Sequence, residues 1–160
     1  MTRDLRDPRT VGTLRPRLEG DHARWRAEVG AVLGPARHPE AGTWARWTAL
    51  HYLQTVFPAR VEQERRMVQR LEARLTGEQR TSLWALGELL DVLPEHLGHL
   101  IGLCHRAQQF AGVTGRLQSA LDRWCRAVED SCGPLPASAL TAGRRVTGGR
   151  AAPRPVAHGG

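Results

Sequence analysis

The sequence contains no lysine: all 23 basic side chains are arginine. A GC-rich coding bias accounts for that, so no single arginine can be read as selected for guanidinium chemistry. Long apolar runs are also missing. None approaches the roughly 20 residues that a membrane-spanning helix needs, and the opening stretch Met1-Thr-Arg-Asp-Leu-Arg-Asp-Pro8 has no apolar signal region. The expectation is a soluble, cytoplasmic protein without membrane contact. Cysteine is scarce and odd in number, and the spacing of Cys104, Cys125 and Cys132 argues against a disulfide scaffold. Glycine-rich phosphate loops, dinucleotide fingerprints and nucleophile elbows are absent. No catalytic residue, cofactor or metal is therefore assigned.

What is present is a surplus of positive charge, and its position matters more than its size. The net charge is +7. Residues 1–17 carry five arginines and two aspartates, a balance of +3, and residues 133–160 carry four arginines and no acid, a balance of +4. In residues 18–132, fourteen arginines meet fourteen acids, so the balance is zero. A domain that grips nucleic acid with its folded part usually has a basic face of its own, and this one has no net surplus for it.

Apolar residues recur at helical spacing along residues 16–132, and no segment reads as a strand. The expected fold is all-α, an antiparallel bundle of five to six helices with disordered N- and C-terminal tails (1–15 and 133–160). The first helix starts near Pro16, places Leu18, Trp25, Val29, Val32 and Leu33 inside, and stops at Gly34-Pro35. Pro58 divides a second helix, 43–57, from a third, 58–75. Trp47, Leu50, Leu53 or Gln54, and Phe57 line the second, and Val61, Val68, Leu71 and Leu75 the third. Glu62 stands four residues before Arg66 as a local support pair. Thr76-Gly-Glu-Gln79 has the form of a capping box and opens a fourth helix to about Leu93, with a wide stripe from Leu83 to Leu93. Pro94 opens a fifth, 95–111. Gly112-Val-Thr-Gly115 is read as a turn before a sixth, 114–131, which buries Leu117, Leu121, Trp124 and Val128.

Four groups of residues could carry chemistry. His96, His99, Cys104 and His105 are the most ligand-like, but helical geometry points His105 away from Cys104, so one helix cannot bring all four to one ion. A buried thiol with edge histidines is the plainer reading. Glu19-Gly-Asp-His22 is a Glu-x-x-His motif, yet ferritin-like sites need two and this sequence has one. Cys132, at a helix end before Gly133-Pro134, is expected exposed and a poor nucleophile, because the helix dipole opposes its thiolate. Arg66, Arg70 and Arg74 form one stripe, read either as a contact for phosphate or an acidic partner or as a solvated helix face. Trp44 and Trp84 fall at stripe edges, where they mark either a partner surface or an inter-helix contact. Trp25, Trp47 and Trp124 read as core.

The stretch from His51 to Gly112 resembles a family of small streptomycete helical proteins associated with natural-product biosynthesis. The resemblance rests on His51, Pro58, Val61 and Glu62, on Gly87-Glu88 before a leucine-rich turn, and on Leu103-Cys104-His105. It implies an actinobacterial accessory or regulatory role and brings no catalytic residue with it. The leading expectation is thus a non-enzymatic helical protein that acts through contact with a protein partner or a second copy of itself. Two alternatives stay open: a nucleic-acid-associated regulator using the arginine stripe and basic tails, and a small metal protein or enzyme built around His96 and His99.

Overall fold

The structure, a computed structural model, describes residues 12–99 and 107–141, and of 97–99 and 107 the backbone alone. Four α-helices account for most of it: α1 Arg15–Arg37, α2 Thr43–Leu71, α3 Gly77–His99 and α4 Ala107–Cys132. Short 3₁₀ turns follow α2 at Glu72–Arg74 and α4 at Ala137–Leu140. Among the described residues the only β pairing is an isolated antiparallel bridge between Thr13 and Pro136.

Each helix packs on its neighbours in chain order, and the ring closes where α4 packs along α1. Directions follow from the pairs that meet. His22 meets Glu64 and Trp25 meets Phe57, so α1 and α2 run opposite ways. Arg65 pairs with Asp91 and Glu72 with Trp84, and Arg37 reaches Thr114 while His22 reaches Glu129, which fixes α3 and α4 in the same alternation. The result is an up-down-up-down four-helix bundle. Its core includes Leu18, Trp25, Val29, Leu53, Phe57, Leu71, Leu83, Leu90, Leu117, Leu121 and Trp124.

The helix count is a correction, and the cause is the same at Pro58 and at the paired glycines. Pro58, Pro94 and the Gly112–Gly115 segment all lie inside helices. An interior proline costs about 3 kcal/mol and a glycine about 1 kcal/mol of helix propensity. Across Pro58 the inward-facing series Leu53, Phe57, Val61, Glu64, Val68, Leu71 keeps its three-and-four spacing. Breaking α2 there would put one half of that series out of phase with the core. Phe110, Val113, Leu117 and Leu121 carry α4 across its two glycines in the same way. Pro35 also fails to stop α1. Its last turn is tied down by Arg37, whose Nη2 donates to the Thr114 carbonyl at 2.8 Å and whose Nε donates to the Thr114 hydroxyl at 3.2 Å.

The expected capping box is formed. The Gln79 amide donates to Thr76 Oγ1 at 3.2 Å, and the Thr76 amide donates to Gln79 Oε1 at 2.9 Å. Arg66 Nε donates to Glu62 Oε1 at 3.1 Å, as their spacing implies.

Packing continues beyond both ends of the 16–132 unit drawn from the sequence. Leu14 is buried on one side and Ala139 on the other. The two segments are laced together: the Leu14 amide donates to the Leu135 carbonyl and the Ala137 amide to the Gly12 carbonyl, each at 2.9 Å. The Arg15 amide donates to the Gly133 carbonyl at 3.1 Å, so the segment after α4 takes up an amide that the start of α1 leaves free. Gly133 sits where a Cβ would lie 2.1 Å from the Glu129 carbonyl oxygen, so a side chain there would force the turn apart.

Candidate functional site

Three ionisable residues interrupt the apolar stripes and meet inside the bundle. His22 lies on the α1 face between Leu18 and Trp25, Glu64 on the α2 face between Val61 and Val68, and Glu129 on α4 beside Val128. His22 is fully buried and the two glutamates nearly so. Its Nε2 lies 3.0 Å from Glu64 Oε2 and its Nδ1 lies 3.1 Å from Glu129 Oε1. Each ring nitrogen faces a carboxylate oxygen, which can only accept, so both must donate: the ring is an imidazolium. Burial pulls the His22 pKa down, but hydrogen bonds from the ring to Cys125 and Glu64, and the nearby negative charge of Glu64, outweigh it and hold the value at about 10.

Further donors complete the cluster. Trp124 Nε1 donates to Glu64 Oε2 at 3.3 Å, and Arg60 Nη2 lies 3.3 Å from Glu64 Oε1. Arg26 Nη2 reaches Glu129 Oε1 at 3.4 Å, a long contact, and its Nε finds no partner. Two carboxylates are thus held among three cations, one from histidine and two from arginine, which is what makes charge tolerable in a packed interior. The apolar faces read from the sequence are thus interrupted by charge at His22, Glu64 and Glu129.

This cluster does not offer catalysis. His22 has no solvent contact, both ring nitrogens are occupied as donors, and the two carboxylates sit on opposite sides of the ring rather than converging on a point. A base needs a free lone pair and a ligand set needs convergence. Glu19, the other end of the Glu-x-x-His motif, faces outward and lies 3.6 Å from Arg15. Cys132 is fully buried, which corrects the expectation of exposure, and its thiol is pushed up to about 11, first by desolvation and then by the Glu64 charge. Cys125 is buried beside the cluster. His96 is exposed; the His99 side chain, Cys104 and His105 lie outside the described residues. No group of three or more metal-ligating side chains capable of holding an ion occurs among the described residues, and none of their helices is long and apolar enough to cross a membrane.

On the surface, the residues singled out from the sequence fall in three places. Trp44 is 83% exposed and Trp47, one turn on, is 41% exposed. Trp47 is therefore a correction: Arg46 and Ala49 take the inner positions of that turn. Trp84 is half-exposed at the other end of α2, its Nε1 donating to Glu72 Oε1 at 3.2 Å. At 1.5 Å per residue, Trp44 and Glu72 lie about 40 Å apart along the helix, so Trp44 and Trp84 do not share a patch. The Trp84 ring edges an apolar crevice of about 20 Å³ with Val68, Leu83 and Trp124, room for one water-sized group. Arg66 and Arg70 line a groove between α1 and α2 together with Arg17 and Arg60. Arg74, on the 3₁₀ turn beyond α2, is exposed and stands outside that groove.

Neither the buried cluster nor the groove was visible as a site in the sequence, although a signal existed for the first. His22, Glu64 and Glu129 each occupy an in-phase position of an apolar stripe, and a charge in that register on three helices must find partners inside. No protein-family model matches the chain, and no curated protein or solved structure matches it.

Proposed function

We propose that the protein is a non-enzymatic helical accessory protein that works by docking onto another protein through the first two turns of α2. The observation that carries this reading is the exposure of Trp44 beside Trp47. Burying an indole of about 200 Å² at ~25 cal/mol per Å² is worth about 5 kcal/mol before the costs of association. Tryptophan is also among the residues that dominate binding energy at interfaces. Trp44 supports nothing inside the bundle, so its removal leaves the fold unharmed. The buried His22 cluster is consistent with a scaffold role, since its ionisable groups are spent on one another. An accessory role beside natural-product biosynthesis follows only from the resemblance over 51–112. Nucleic-acid binding has less support, because Arg66 is tied to Glu62 and Asp21 lies among the groove arginines.

The test compares the intact chain with Trp44→Ala/Trp47→Ala by multi-angle light scattering and by stoichiometric capture from lysate of the source cells. The expected result is a dimer or a defined partner with the intact chain and neither with the variant, at equal thermal stability. A strict monomer that captures nothing would overturn the reading, as would capture that the variant leaves intact.

A further inference from the structure

We propose that the groove between α1 and α2 binds a small phosphate-bearing molecule, its phosphate clamped between Arg17 and Arg70. The groove has a volume of about 970 Å³, within the size range of small-molecule sites. Arg17 and Asp21 come from α1, Arg60, Arg66 and Arg70 from α2, and Leu140 with Thr141 from the turn after α4 closes one end.

The guanidinium groups in it are not equivalent. Arg60 is spent on Glu64 at 3.3 Å, and its guanidinium carbon lies 5.1 Å from the centre of the Trp25 ring. That fixes it as a rigid positive floor. Arg66 is spent on Glu62, and Asp21 on Arg24. Arg17 and Arg70 have no carboxylate partner among the described residues. They rise from opposite walls of one concavity, each on a helix that the core holds in place. Two unspent planar forks facing one space, above a third that is fixed, suit a dianion, because a guanidinium matches phosphate oxygens two at a time.

The surroundings favour a small molecule over a nucleic-acid backbone. A duplex presents a convex row of phosphates and is met by a row of cations without acids. Here the cations surround a hollow that Asp21 and Glu64 also line, Glu64 being held by Arg60 and His22. Asp21 can instead accept from a hydroxyl or amino group carried by the ligand beside its phosphate.

Isothermal titration of the full chain with pyrophosphate and with ATP, in buffer free of other multivalent anions, tests the assignment. Saturable one-to-one binding is expected, weakened about tenfold or more by Arg17→Gln and equally by Arg70→Gln, the loss of one charge-assisted contact. Arg74→Gln removes the same unit of charge outside the groove and is expected to change the affinity less than about twofold. Arg17 and Arg70 are exposed and hold nothing together, so both variants should fold. No saturable binding at millimolar pyrophosphate, or equal weakening by Arg74→Gln, would overturn the proposal. Tighter binding to duplex DNA than to pyrophosphate, with a steep fall as salt rises, would overturn it in favour of a nucleic-acid surface.

Discussion

Between Glu64 and Glu129, the His22 ring satisfies both carboxylates only while it carries a hydrogen on each nitrogen. Its folded pKa of about 10 lies above the ordinary 6.5. A raised folded pKa means that the stabilisation is complete below pH 6.5 and is lost as the pH climbs through 10. In between, the slope is about 1.4 kcal/mol per pH unit. Urea unfolding of the intact chain between pH 7 and 9 should show this loss, and a His22→Gln variant should be nearly flat over that window. The Cys132 thiol adds a loss of the same sign only at higher pH, where the unfolded thiol ionises and the buried one does not. Glu64→Ala leaves the imidazolium with one carboxylate partner and should cost about 3–5 kcal/mol in the same assay. If His22, Glu64 and Glu129 are all replaced by leucine, stability should return to near the intact value. The cluster would then matter for register rather than for net stability. Nothing in the residue types alone distinguished these three from solvated charges. Their phase did, because each sits where its helix has its other buried residues.

At the scale of the element, local signals were legible and interruptions were misleading. Thr76 and Gln79 specified their own reciprocal cap, and Glu62 specified its partner Arg66, because such bonds depend only on spacing along one helix. Thr76→Ala should lower stability by about 1 kcal/mol, read from the thermal midpoint. Pro58, Pro94 and the paired glycines were read as ends because their intrinsic cost is local and obvious. The compensation is tertiary: it lies in Phe57 and Val61 meeting the same core, and in Phe110 and Leu117 doing likewise. An unbroken three-and-four rhythm across a proline is thus the better guide to whether a helix continues. Trp47 shows the reverse error. Its three-residue spacing from Leu50 suggested burial, yet Arg46 and Ala49 take the inner positions of that turn and leave it 41% exposed.

For the molecule as a whole, the all-α class and most of the apolar core could be read from periodicity, whereas the edges of the folded unit could not. Leu14 and Ala139 lie beyond the last helical repeat, so no pattern announces them; only the lacing of residues 12–15 to 133–137 brings them in. A fragment of residues 16–132 should be less stable to urea than one of residues 12–141 by at least about 3 kcal/mol, since it loses the buried Leu14 side chain along with the lacing. The groove arginines were only half legible for a related reason. The stripe Arg66, Arg70 and Arg74 is a feature of one segment, while Arg17 joins it from 49 positions earlier in the sequence.

Because that lacing sets the chain's entry into α1 next to its exit from α4, the order in which the helices are written along the polypeptide is open to change. A circular permutant that links residue 141 to residue 12 through a few glycines and serines, and opens between Pro39 and Glu40 in the exposed α1–α2 connection, should adopt the same bundle. Its circular dichroism and melting cooperativity should match those of the native order.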